Sequence, residues 1–233
     1  MLTISTFNIQ NDYFKYSKEK TDIIYKYLRK NDIDILGLQE VYRTLDRDLS
    51  DYLCMKNYNC VGCYRLHFRY LFKRFNEKNP IITKKNIISY KTFYLPFLPS
   101  ITKRVLTKVE IEDKNRIISI YNTHLEVRNL FVKKRQLKRI LKIISKDKNP
   151  IILMGDFNLK TNKELFLDFI YKLKLLNIKH IDILDKTLKS SKYHRAIDHI
   201  FISDDFTLVE KKLVKNIPIS DHYPVIIKVK DKR

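Results

Sequence analysis

Ile152–Leu159 reads ILMGDFNL, and the rest of the chain can be organised around this stretch. Ile151–Met154 is a short unbroken apolar run, as expected of a strand buried on both faces. It feeds straight into Gly155, then an acid and an amide, Asp156 and Asn158. An apolar strand ending this way puts a carboxylate at the rim of a sheet, where α/β folds collect their chemistry. Upstream, Leu137, Ile140, Leu141 and Ile144 have the i, i+3, i+4, i+7 spacing of a helix buried on one side. Its other face carries Lys134, Arg135, Lys138 and Lys142, with the Lys133–Lys142 stretch read as solvated, and Pro150 ends it. Downstream, Thr161 and Glu164 form a capping-box pattern, opening a helix with Leu165, Phe169, Leu173 and Leu176 inward.

The same alternation fills the remaining sequence. Strands are expected at Leu2–Asn8, Ile33–Gln39, Ile81–Thr83, Val105–Ile111, Arg116–Thr123, Ile197–Ser203, Thr207–Val214 and Pro224–Val229. Lys18–Lys30 places Ile23, Ile24, Tyr27 and Leu28 on one helical face. There is no repeat, linker or low-complexity tract, so residues 1–233 are expected to form one α/β domain. At 233 residues and 44% hydrophobic the chain can bury a sizeable core, which excludes a disordered class. No run of about 18 apolar residues occurs, so no transmembrane segment is expected. The N-terminus shows no secretory pattern, and three cysteines make no disulfide framework. Both point to a cytoplasmic, reducing setting and a monomer.

The net charge is +21, from 47 Lys and Arg against 26 Asp and Glu. With 34 Lys, 31 Ile, one Ala and no Trp, part of this reads as drift toward A+T-rich codons. Drift should spread lysine evenly, but the charge is not even. Residues 64–104 hold 10 basic groups and one acid, and residues 128–149 hold 9 and one. The lack of acids in the first segment is not explained by lysine drift, and it points to an anionic substrate or surface.

Polar residues recur at the ends of the apolar runs: Asn8, Gln39–Glu40, Asn122–His124, Asp156 with Asn158, Asp198, and Asp221–His222. Each alone also fits a turn or a helix cap. Together, Glu40, Asp156, Asn158, Asp198 and Asp221 offer the oxygen ligands that a hard cation such as Mg²⁺ takes. Two histidines with acidic neighbours suit general acid–base work or stabilisation of phosphate charge.

In order and spacing, Asn8, LQE (38–40), NTH (122–124), GDFN (155–158), Asp198 and SDH (220–222) resemble the endonuclease/exonuclease/phosphatase, or DNase I-like, superfamily. The likeness runs from residue 2 to about 229 and is greatest to its compact bacterial metal-dependent hydrolases. Glu77–Thr83 and Arg104–Leu106 resemble two further family segments. The resemblance implies a four-layer α/β sandwich of two central mixed sheets flanked by helices, with the site in a cleft at one edge. It implies Glu40 as principal ligand of Mg²⁺, or of Mn²⁺, with Asn8 and Asp221 close to the metal. Asp156 and Asn158 would orient the attacking water and contact phosphate. His222, held by Asp198, would act as base or stabilise phosphorane oxygens. His124, oriented by Glu77, would act as general acid or phosphate ligand. Gln10 stands where some DNA-repair members carry Asp, and the chain lacks the Trp-containing motifs of abasic-site nucleases, which argues against that activity.

Tyr64–Phe75 (YRLHFRYLFKRF) interleaves rings and bases, and its periodicity fits strand and helix alike. Arg65 and Arg69 there, and Arg128 near His124, are candidate phosphate contacts. A zinc site from Cys54, Cys60, Cys63 and His67 matches no common module, so buried or idle thiols are expected instead. The expected function is Mg²⁺-dependent hydrolysis of an anionic phosphoester, nucleic acid ranking slightly first. A phosphoinositide phosphatase or sphingomyelinase-like enzyme at a membrane surface is the alternative, and a non-catalytic nucleic-acid or lipid binding module is the different-class reading.

Overall fold

The structure is a computed structural model that describes residues 1–10, 18–42, 49–54, 56–62, 64–65, 77–100, 102–190 and 196–233. One six-stranded sheet has the order β14 (Phe206–Leu213), β15 (Val225–Asp231), β1 (Leu2–Asn8), β2 (Ile35–Gln39), β7 (Ile81–Thr83) and β4 (Asn59–Val61). The other has the order β12 (Ile178–Ile181), β13 (Asp198–Ser203), β11 (Ile151–Asp156), β10 (Arg116–His124), β9 (Arg104–Asp113) and β8 (Ile87–Leu95). Each is mixed, with one parallel pair: β1 with β2, and β10 with β11. A small third sheet joins β3 (Val41–Tyr42), β6 (Glu77–Lys78) and β5 (Tyr64–Arg65).

Side-chain alternation sorts the strands into layers. Leu2 and Ile4, Ile118 and Ile120, Ile152 and Met154, and Val225 and Ile227 all enter one core, which lies between the two large sheets. The residues alternating with them turn outward. Phe7, Leu36 and Ile226 meet Ile24, Tyr27 and Leu28 of α1 (Lys18–Lys30) and Leu49 and Leu53 of α2 (Leu49–Cys54). Leu153 and Phe201 meet α3 (Leu130–Ile144) and α4 (Glu164–Lys174) on the other side. The result is the expected four-layer sandwich, with helices outside two face-to-face sheets.

Several details differ from the sequence reading, which named neither α2, β12 nor the small third sheet. Strand β8 was not expected: its residues are mostly exposed or half-buried, so it lacks a clean period of two. The opening of α4 is not a capping box, because Lys163 is the N-cap and makes no side-chain cap bond. Phe169 and Leu173 are nevertheless buried as expected, with Phe166 beside them and Leu165 half-buried against the same core, while Leu176 lies past the helix at 36% exposure. Lys133 is buried rather than solvated. Among the described residues, no helix is long and apolar enough to cross a membrane.

Candidate active site

The site is the last layer of the inter-sheet core, where the inward-facing positions change from apolar to polar. Strand β10 runs Ile118, Ile120, Asn122, His124 along its inner face, and β11 runs Ile152, Met154, Asp156. The parallel register pairs His124 with Asp156, and the antiparallel register pairs Asp156 with Asp198. Three candidate residues thus stand side by side on adjacent strands, about 4.8 Å apart per strand. From the opposite sheet, β1 ends its inner face with Asn8, paired with Gln39 of β2.

Two backbone features allow this rim to form. Gly155 has φ +147°, and a Cβ there would lie 2.0 Å from the Thr123 carbonyl oxygen, so only glycine fits between the Met154 and Asp156 strand positions. Glu40 and Asn158 both occupy the left-handed region, at φ 59° and 51°, which turns the chain abruptly just after the strand end.

Asn8 links the two sheets. Its Nδ2 donates to Glu40 Oε1 at 3.1 Å and to Asp156 Oδ2 at 3.0 Å, while its Oδ1 accepts from Gln10 N. Ser220 Oγ donates to Asn8 O at 2.6 Å and accepts from His222 N, tying the SDH turn to the end of β1. Two imidazoles converge on Asp156. His124 Nε2 lies 3.7 Å from Asp156 Oδ2 and 3.9 Å from Glu40 Oε1, and its Nδ1 lies 3.3 Å from buried Glu77 Oε1. His222 Nε2 lies 3.9 Å from Asp156 Oδ2 and from Asp221 Oδ1, and its Nδ1 lies 2.8 Å from Asp198 Oδ2. Each ring is therefore anchored at Nδ1 by its own acid and presents Nε2 to the centre.

The electrostatics follow from crowding acids in a buried rim. Burial and the charge of Asp198 push the Asp156 carboxyl up to about 7, against the pull of His222 and Asn8. Burial alone would lower His222, but the Asp198 ion pair and the charges of Asp156 and Asp221 outweigh it, so the imidazole is pushed up to about 10. Both shifts hold protons, which means that the cluster is short of positive charge. Asp198 Oδ1 and Asp221 Oδ1 are buried with no hydrogen-bond donor among the described residues. An excess of hard oxygen donors with idle lone pairs fits a divalent cation. Asp156, Asp198 and His222 also bring one ligand atom each within 4.8 Å of one another. Asp198 and His222 are already engaged with each other.

The structure thus gathers Asn8, Glu40, Glu77, His124, Asp156, Asn158, Asp198, Asp221 and His222 around one rim. Arg128 is exposed, and its backbone N–H donates to Glu126 Oε1 at 3.2 Å. Arg65 pairs by its backbone with Glu77 in the small sheet. Arg69 and most of Tyr64–Phe75, with Cys63 and His67 of the imagined zinc site, lie outside the described residues. Among the described residues Cys54 and Cys60 form no disulfide; Cys54 is exposed, and Cys60 Sγ lies 3.8 Å from Tyr58 O.

Sequence reasoning missed three supporting residues. Lys133 Nζ donates to the Asn158 carbonyl at 2.7 Å; burial pulls its ammonium pKa below the usual value, although Asp156 and Glu126 oppose this. Arg104 Nη1 lies 3.8 Å from Glu77 Oε1 and secures the acid behind His124. Thr187 Oγ1 accepts from Ile197 N and Asp198 N, holding the start of β13. Gln39 and Asn122, polar at strand ends, act as an inter-sheet clamp: Gln39 Nε2 donates to Asn122 Oδ1 at 2.7 Å, and Asn122 Nδ2 to Leu38 O and Pro80 O.

Residues 5–222 match the model of the Endonuclease/Exonuclease/phosphatase family. No curated protein matches the chain. Among solved structures, an endonuclease/exonuclease/phosphatase family protein from Leptotrichia buccalis C-1013-b superposes with a TM-score of 0.80 at 19% identity, covering 99% of this chain and 100% of that one. The mannosyl-6-phosphatase Bt3783 of Bacteroides thetaiotaomicron VPI-5482 superposes at 0.77 and 19% identity, covering 99% and 100%. The human Nocturnin catalytic domain with bound sulfate superposes at 0.80 and 19% identity, covering 99% and 94%. At this identity the likeness is one of fold.

Proposed function

The chain belongs to the Endonuclease/Exonuclease/phosphatase family, and we propose that it is a Mg²⁺-dependent phosphoester hydrolase acting on nucleic acid, with Mn²⁺ as the substitute ion. The observation that carries this reading is the pair of imidazoles, His124 and His222, meeting at one buried carboxylate, Asp156, each anchored by its own acid. Such a pair suits a reaction in which one oxygen attacks phosphorus while another leaves.

Glu40, Asn8 and Asp221 would hold the cation, which supplies Lewis-acid polarisation and neutralises charge on the phosphoryl oxygens. Asp156 and Asn158 orient a water for in-line attack. His222, held at Nδ1 by Asp198, carries a proton at Nε2 in this cluster and meets the charge developing on the equatorial oxygens. His124, set by Glu77 and Arg104, protonates the leaving oxygen from Nε2. The basic balance of residues 64–104 and 128–149 supports a nucleic-acid substrate.

The test is a panel of DNA, RNA, bis-p-nitrophenyl phosphate, phosphoinositides and sphingomyelin with Mg²⁺. Mannose 6-phosphate is added because one structural neighbour is named a mannosyl-6-phosphatase. Turnover by the wild type is expected to disappear in Glu40→Gln and His124→Ala. Absence of divalent-dependent turnover on every member of the panel would sink the enzymatic reading. Preferential turnover of a phospholipid would replace nucleic acid with a head group.

A further inference from the structure

Two cavities run beside β8 at the edge of its sheet. One, of about 420 Å³, is lined by Tyr94, Phe97, Leu98, Lys103, Arg135 and Arg139, among others. The second, of about 640 Å³, includes Tyr90, Lys91, Phe93, Arg139, Lys142 and Lys148. Arg139 belongs to both, so the two form one groove between β8 and α3. Its direction follows from the sheet. Strand β10 ends at His124, β9 runs opposite to β10, and β8 runs opposite to β9. Leu95, at the end of β8, therefore pairs with Arg104 at the catalytic rim. From there the groove follows β8 away from the site for about 20 Å.

Its chemistry is one-sided. Lys91, Arg139, Lys142, Lys146 and Lys148 have no acid partner within ion-pair distance among the described residues. The two acids in the groove are already occupied: Lys108 Nζ lies 2.6 Å from Glu110 Oε1 and 2.9 Å from Asp147 Oδ2. Rings lie among these bases. Lys91 Nζ sits 5.2 Å over the Phe93 ring and Lys103 Nζ sits 5.6 Å over the Phe97 ring, whereas the exposed Tyr90 and Tyr94 alternate with Lys91 and Phe93 and project from the other face of β8. Unpaired cations beside aromatic rings in a concave track match a phosphate backbone whose bases stack. A bilayer favours a convex apolar face instead.

We propose that the β8–α3 groove is a binding track for single-stranded nucleic acid, leading the strand to the catalytic rim. It rests on the phosphoesterase reading and goes beyond it by placing the strand on a surface outside the rim of acids and histidines.

The experiment measures anisotropy of a fluorescein-labelled single-stranded oligonucleotide in EDTA, across a salt series, with bis-p-nitrophenyl phosphate hydrolysis assayed in parallel. A Lys91→Ala/Arg139→Ala/Lys142→Ala variant is expected to bind at least about tenfold more weakly. Its salt slope should fall by about 0.7 for each phosphate contact removed. Phe97→Leu, which removes a ring beside these bases and keeps an apolar side chain, should cost about tenfold with the salt slope unchanged. Hydrolysis of the small diester should stay at the wild-type level in all of them. Wild-type oligonucleotide binding by these variants, with small-diester hydrolysis intact, overturns the groove while leaving the catalytic reading standing. So does a loss confined to phosphatidylserine vesicles. Failure of the wild type to hydrolyse the small diester counts against the catalytic reading itself, and the inference goes with it.

Discussion

Replacing Lys133 with Met removes one buried charge from behind the site and leaves nearly the same volume. The ammonium is 4% exposed and donates to the Asn158 carbonyl at 2.7 Å. Asn158 sits at φ 51°, in the left-handed region that asparagine enters more readily than other non-glycine residues when local hydrogen bonds hold it. It is held there by its N–H on Asp156 Oδ1 at 2.8 Å, its side-chain amide on Leu125 O at 3.2 Å, and the Lys133 bond. Losing the third leaves a carbonyl unsatisfied, worth roughly 1–3 kcal/mol. Relief of a desolvated ammonium, whose pKa burial already lowers, offsets part of this. The net loss is about 1–2 kcal/mol, which for a chain of this length is a fall in Tm of about 2–8 °C. The larger effect is expected in kcat, because the strained turn carries both Asp156 and Asn158. A displacement near 1 Å there costs up to about 100-fold. Calorimetry and steady-state hydrolysis of bis-p-nitrophenyl phosphate measure the two quantities, with exposed Lys138→Met as control. A Lys133→Met enzyme with kcat within twofold of wild type would refute a positioning role for this lysine.

Three further outcomes follow from the same geometry. Asp198→Asn should lower kcat by about 10²–10⁴-fold, as expected when a general acid–base loses its anchor; NMR of the metal-free protein should also find His222 titrating closer to its ordinary value, and an unmoved resonance would remove Asp198 as the cause. Gly155→Ala places a methyl 2.0 Å from a carbonyl oxygen and should cost about 3 kcal/mol or more, read as a denaturant midpoint shift; an unchanged midpoint would show that β11 relaxes freely. His180 is held down to about 4, by burial and then by Lys211 against the pull of Asp182, and its Nε2 meets His199 Nδ1 at 3.2 Å. Below pH 6.5 the unfolded chain binds the extra proton, so stability falls from pH 6.5 through about 4, by about 2–3 kcal/mol; His180→Leu should flatten that part of the profile, and an unaltered acid limb would reject the assignment.

Much of this was legible because burial on both faces leaves an unmistakable record. IILMGD, IDILGLQ and RIISIYNTH are apolar enough to be strands wherever they fall, and each carries its chemistry at its C-terminal end. The edge strand β8 was not legible for the opposite reason. With Tyr90, Lys91 and Tyr94 open to solvent, IISYKTFYL carries little burial pattern, and only pairing with β9 makes it a strand. The inward face of helix α4 was recognised but its start was not, because Thr161 and Glu164 fit a capping pattern that the backbone does not adopt. Lys133 was read as solvent-facing because local spacing cannot show a carbonyl brought 25 residues along the chain to meet it.

The chain's own order of residues was enough to specify two kinds of information: which segments are strands, and which polar side chains end them. It did not separate Asn122 from His124, two residues apart on the same inner face of β10. Only the packed structure does so. Gly37 on the facing sheet, where a Cβ would come 2.9 Å from Asn122 Oδ1, leaves room for Asn122 to bridge the sheets in the dry interior. One step nearer the rim, His124 meets Glu77, Glu40 and Asp156. Alternation sets the face a side chain occupies, but depth along the strand depends on where the opposing sheet stops, and that is a property of two segments brought together by folding.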